Sequence, residues 1–103
     1  MGRGRPAQSQ VRQNIVEILH FMGEGYAYNI YKIYRNIFTP VTMRSIYYHM
    51  KKGLGTGEFK LKEIKREEGD YTWGSYAEKV YYELGKNAKA TIDPRVKEYF
   101  GLK

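Results

Sequence analysis

Between Thr39 and Lys52 the chain reads TPVTMRSIYYHMKK. Drawn as a helix, this stretch places Arg44, Ser45, Tyr48, His49, Lys51 and Lys52 on one side. Met43, Ile46, Tyr47 and Met50 recur on the other at the i, i+3, i+4, i+7 spacing. The first set can do recognition chemistry. A forked guanidinium pairs with two acceptors at once, a hydroxyl both donates and accepts, and an ammonium meets a phosphate as a point charge. A helix that is dry on one side and so equipped on the other suits the base-pair edges of a major groove. The alternative is an ordinary solvated helix face.

Such a face needs other elements to hold it. Ser9 is a candidate N-cap for a first helix with Val11, Ile15, Ile18, Leu19 and Met22 as its apolar stripe and Arg12, Gln13 and Glu17 outside. Gly23 and Gly25 end it. A second helix is expected from Ala27 to Phe38, with Ala27, Ile30, Tyr31, Tyr34, Ile37 and Phe38 inward and Lys32, Arg35 and Asn36 outward. Pro40 stops it and holds Thr39 extended. Thr42 then caps the third helix, which Gly53, Gly55 and Gly57 are expected to break.

Beyond it the period changes to two. Phe59 and Leu61 alternate with Lys60 and Lys62, which predicts a strand over 58–67 with Phe59 and Leu61 inward. The phase slips between Leu61 and Ile64, the sign of a bulge. Val80, Tyr82 and Leu84 share one face of a second strand over 77–84. The two predict an antiparallel hairpin joined by a long connection over 68–76. Asp93 and Pro94 open a last short helix that runs through Phe100 and stops at Gly101. No internal repeat is present.

Three helices and then a two-stranded hairpin is the order of the winged helix-turn-helix family, and the chain resembles it in residues as well. TMRSIYYHMKKG resembles the recognition helix of many winged-helix transcription factors, where a small hydroxyl residue opens the helix and a glycine-bearing turn leads into the wing. VYYELG, from Val80 to Gly85, is similar to the return strand of such wings. The resemblance spans Ser9 to Leu84. It implies an α+β fold with three helices, a hairpin wing and a short C-terminal helix. It divides the chain into a basic arm over 1–8, a winged-helix domain over 9–85, and a C-terminal linker and helix over 86–103 that often mediates dimer contacts in such families. It also implies double-stranded DNA as partner, with helix 42–52 in the major groove, and a role in transcription regulation. Two alternatives stay open: an RNA- or ribosome-associated winged helix, and a winged helix that binds only protein.

Charge agrees with a polyanion partner. The 103 residues carry a net +7, and the asymmetry is strong. Residues 1–52 hold eight Lys and Arg against Glu17 and Glu24, whereas 53–103 hold ten against nine. The positive field thus lies over the half that contains the candidate reading helix. With no cysteine, disulfides and thiolate metal sites are excluded, and a reducing, cytoplasmic setting is expected. No apolar run reaches the ~18 residues of a membrane span, so no membrane association is expected. The polar start MGRGRPAQSQ does not read as a secretion signal.

Within the arm, Arg3-Gly4-Arg5-Pro6 resembles the core of an AT-hook, which lays two arginines along a narrow minor groove. Gly2 stands where such hooks carry a further proline. The alternative is a basic tail that binds phosphate without preference. Site residues expected on these grounds are Arg3, Arg5, Thr42, Arg44, Ser45, Tyr48, His49, Lys52, Lys62 and Lys65. Lys60, Lys62, Lys65 and Arg66 could meet phosphates along the wing, while Glu67, Glu68 and Asp70 crowd its tip with like charge. Tyr71, Trp73 and Tyr76 read as a local cluster, a stacking platform or a subunit contact. His20 reads as a structural histidine. No carboxylate pair, nucleophile–histidine set or strand-to-helix phosphate loop is present, so catalysis, a cofactor and a metal are not expected. The last helix carries Val96, Tyr99 and Phe100 on one side, more than a domain of this size is expected to bury alone, which predicts a homodimer.

Overall fold

The computed structural model describes residues 9–71 and 74–101, apart from the side chains of 67–78. Helix α1 (Gln10–Met22) is capped by Ser9, whose hydroxyl accepts from the Arg12 amide, and it ends at Gly23 with φ of 85°. Ile15, Val16, Ile18 and Leu19 are buried. So are Arg12, Asn14 and Glu17, against the expectation that Arg12 and Glu17 face water. The reason is that α1 is the central helix: α2, α3, α4 and the sheet all pack on it. Buried polar groups there must find partners. Asn14 donates to the Tyr34 hydroxyl at 3.0 Å and accepts from Gln10 at 2.8 Å.

A two-residue strand, β1 (Gly25–Tyr26), leads directly into α2 (Ala27–Ile37). Ala27, Ile30, Tyr34 and Phe38 are buried. Thr42 caps α3 (Met43–Thr56), accepting from the Ser45 amide at 3.0 Å. The helix does not break at Gly53 but runs through it and Gly55 to Gly57, where φ of 86° closes it in the left-handed conformation. Gly53 is buried, and a Cβ there would fall on the Phe59 ring. The glycine is a packing position inside the helix rather than its stop.

Strands β2 (Phe59–Tyr71) and β3 (Gly74–Leu84) form the expected antiparallel hairpin, in register from Phe59↔Leu84 to Tyr71↔Gly74. Both are longer than the spacing predicts, and the connection is correspondingly shorter. Tyr71 and Gly74 already pair, and polar or glycine-bearing strand ends carry no alternation to reveal them. The register shifts between Leu61 and Glu63, where the phase slip predicts a bulge. Phe59 is buried as expected, but Leu61, on the edge strand where the register shifts, is 55% exposed. Strand β1 completes the sheet in the order β1-β3-β2, pairing Gly25 with Tyr82 and Tyr26 with Tyr81. Two residues have no periodicity, so this strand is invisible in the sequence.

The chain after the wing returns to the end of α3. Asn87 donates its amide to the Gly57 carbonyl at 2.9 Å and its side chain to the Thr56 carbonyl at 2.8 Å. Residues 89–93 then cross α1 as a strap. The buried Glu17 carboxylate accepts from the Thr91 amide at 2.7 Å, the Thr91 hydroxyl at 3.0 Å, the Asp93 amide at 3.0 Å and Gln13 at 2.8 Å. Between the two amides Ile92 has φ of 62°, a conformation costly for a β-branched residue. Helix α4 (Pro94–Gly101) follows. Val96 is fully buried in this chain's own core, and Phe100 stacks on Phe21 at 5.7 Å. Of the face expected to meet a second copy, Val96 is thus covered within the chain, whereas Tyr99 and Phe100 stay half-buried. Helices α1 to α3, the short strand β1 and the β2–β3 hairpin make an α+β winged helix-turn-helix.

Candidate nucleic-acid interface

Helix α3 buries Ile46, Met50 and Gly53, so its outer face is fixed by packing. Arg44, Tyr47, Tyr48, Lys51 and Lys52 are exposed there, with Tyr47 and Tyr48 at 55% and 57%. Tyr47 was expected in the core. The buried stripe instead continues from Ile46 through Met50 to Gly53, which turns Tyr47 outward beside Arg44 and Lys51. Among the described residues Arg44, Lys51 and Lys52 make no ion pair, and α3 carries no acidic side chain. Ser45 is half-buried, and Thr42 is exposed with its hydroxyl proton still free to donate.

His49 is not on this outer face. It is half-buried, with Nδ1 at 3.5 Å from Nη1 of the buried Arg12. Arg12 Nε donates to Glu58 at 2.6 Å, and the Thr56 hydroxyl donates to the same Glu58 oxygen at 2.6 Å. Burial lowers the His49 pKa, the Arg12 charge lowers it further, and Glu58 opposes them without cancelling the shift. A nitrogen facing a guanidinium donor must accept, so the neutral ring carries its proton on Nε2. His49 is therefore a neutral donor joined to a charged network that ties α1 to the end of α3. His20, by contrast, is exposed, and its ring meets Phe21 edge-on at 5.0 Å.

On the wing, Lys62 and Lys65 both reach Glu24, at 3.7 Å and 3.4 Å. Lys60 pairs with Glu83 at 3.6 Å. Desolvation works to lower the Lys65 pKa, but Glu24 outweighs it, with Glu63 and Tyr81 adding to the effect, and the ammonium is held more firmly protonated than an ordinary lysine. Helix α2 presents a further basic and aromatic stripe that the sequence did not single out. Lys32 lies 5.4 Å from the Tyr28 ring centre, Arg35 lies 5.6 Å from that of Tyr31, and Tyr28 is 51% exposed.

Arg3 and Arg5 lie outside the described residues, as do Trp73 and the side chains of Glu67, Glu68, Asp70, Tyr71 and Tyr76. Among the described residues no group of three or more His, Cys, Asp or Glu side chains is placed to hold a metal. No helix among them is long and apolar enough to cross a membrane.

No protein-family model matches the chain, and no curated protein matches it. Among solved structures the chain is similar to Bacillus subtilis PadR, whose crystal structure is of a complex with operator DNA. The match has 17% identity and a TM-score of 0.49, and it covers 84% of this chain and 46% of that one. The chain thus spans less than half the length of that neighbour.

Proposed function

We propose that this protein binds double-stranded DNA and regulates transcription, with α3 in the major groove. One observation carries the reading. Arg44, Lys51 and Lys52 stay without an acidic partner on the outer face of a helix whose inner face is locked into the core. Several other described cations, Arg12, Lys60, Lys62, Lys65 and Arg95, are instead drawn into ion pairs. Cations left available on a rigid element suit an external anion, and helix geometry suits the major groove. In this reading Arg44, near the start of the helix, pairs with a base edge. Thr42, Ser45 and Tyr48 donate to bases or phosphates and Lys52 meets a phosphate, while His49, turned toward Arg12, takes no part. Lys62 and Lys65 serve the flanking backbone, and Arg3 and Arg5 enter the adjacent minor groove. A homodimer would set two such helices on half-sites about 34–36 Å apart.

The test is binding of fluorescent duplexes over a range of salt, with structured RNA as competitor. Duplex affinity that falls steeply with salt and resists the RNA supports the reading. Salt-independent binding, or preference for the RNA, would overturn it. Sequencing of the genomic fragments the protein retains would then give the operator.

A further inference from the structure

Glu24 stands in the turn between α1 and β1, with each carboxylate oxygen facing a different wing ammonium. Its Oε1 is 3.7 Å from Lys62 Nζ and its Oε2 is 3.4 Å from Lys65 Nζ. The three side chains are 33%, 40% and 41% exposed, so water and solutes reach them all. Lys65 has two other neighbours: the Tyr81 ring, with its centre 4.3 Å away, and Glu63 at 3.6 Å. Tyr81 packs edge-on against Tyr26 at 5.3 Å, and Tyr26 in turn lies beneath Lys79 at 4.8 Å. An aromatic face holds an ammonium in place without neutralising it. Taking Glu24 away would therefore leave Lys65 over its ring and Lys62 at the bulge, two cations converging on the space the carboxylate had filled. Carboxylate and phosphate oxygens are interchangeable acceptors for such donors.

We propose that the root of the wing is a phosphate site occupied internally by Glu24, and that a backbone phosphate of duplex DNA displaces the carboxylate when the domain docks. This rests on the DNA-binding reading above. Ion pairs this exposed are weak, so the exchange is easy. Phosphates carry no sequence information, so Glu24 sets overall affinity and leaves base preference alone.

Glu24→Gln keeps the shape of the side chain and removes the competing charge. Its affinity for one duplex is compared with wild type in anisotropy titrations, alone and in a Lys62→Ala/Lys65→Ala background. At about 50 mM salt the single variant should bind about two- to tenfold tighter, on preferred and random duplexes alike, with the gain fading as salt rises. In the double-lysine background the gain should vanish. Unchanged or weaker binding by Glu24→Gln overturns the proposal. So does a gain that persists without the two lysines, which would be an effect of net charge alone. Wild-type protein that binds no duplex at all would end the DNA reading itself, a result distinct from equal binding by wild type and variant.

Discussion

At the scale of single residues, Arg44 and Lys52 share a helix face but differ in chemistry. A bidentate guanidinium distinguishes bases, whereas an ammonium on a phosphate does not. Arg44→Ala is expected to cost about 1–3 kcal/mol of binding and to relax preference at one base pair. Lys52→Ala should weaken all duplexes alike and flatten the salt slope by about one. Binding titrations on matched and single-mismatch duplexes check both, and unchanged affinity in the two variants would take α3 out of the interface. His49 makes a pH prediction. Its folded pKa lies below the ordinary value, so the unfolded chain takes up the proton first as pH falls. The stability it contributes is complete above about pH 6.5 and declines below it until the folded pKa is passed. His49→Gln, which keeps a neutral donor, should lose that part of the pH dependence in denaturant unfolding between pH 5 and 7. Ile92 is the strained position, at φ of 62° and 42% exposed. Ile92→Asn should raise stability by about 0.5–1 kcal/mol, because asparagine tolerates the left-handed region. A lower melting temperature for this variant would mean that the isoleucine packs more usefully than its exposure implies.

At the scale of elements, α3 is aimed by two contacts at its C-terminal end. One is the Gly53–Phe59 approach and the other is the Arg12–Glu58 pair. Phe59→Ala should cost about 3–5 kcal/mol through the cavity it leaves. Gly53→Ala, normally favourable in a helix, should destabilise here because the new methyl meets the ring. Thermal unfolding of the two variants tests whether the helix extension is a packing feature, and a stabilised Gly53→Ala would refute it. The helices were legible because Ser9, Thr42, Pro40 and Pro94 are local signals that act within one turn. The burial of Arg12 and Glu17 was not, because the polarity of a side chain does not reveal that a distant segment will supply its partners. Glu58 lies 46 residues from Arg12, and Thr91 lies 74 from Glu17.

At the scale of the whole molecule, the strap over 89–93 binds the C-terminal helix to the first, and Glu17 is its clasp. Burial would raise the Glu17 pKa, but the bonds from Thr91, Asp93 and Gln13 outweigh it, so the carboxyl titrates below its ordinary value. A depressed carboxylate contributes stability that is fully present above the ordinary carboxylate pKa and is lost as pH falls through the folded one. Glu17→Gln should therefore cost about 2–4 kcal/mol at pH 7 and less at pH 3, where the carboxyl of the unfolded chain is already protonated and the native advantage has shrunk. Chemical denaturation at the two pH values measures the difference, and an equal cost at both would show that the charge is irrelevant to the clasp. The arm bears on function at this same scale. If Arg3 and Arg5 enter a minor groove, deleting residues 1–7 should weaken binding most on A·T-rich flanks, where the groove is narrow and its potential strongest. Equal losses on A·T-rich and G·C-rich probes would leave the arm as a counterion-like tail.

The sequence by itself determined the element order, the caps, the dry side of α1 and α2, the bulge in the wing and the charge asymmetry. Each of these depends on residues a few positions apart, or on composition. Only the tertiary structure decided that Tyr47 faces out and His49 in, that Gly53 lies inside α3, and that β1 exists at all. It also decided that α4 buries Val96 in its own chain and that Glu24 occupies Lys62 and Lys65. All of these turn on contacts between segments far apart in the chain, and neither periodicity nor charge counting says which distant side chain will arrive to complete a pair.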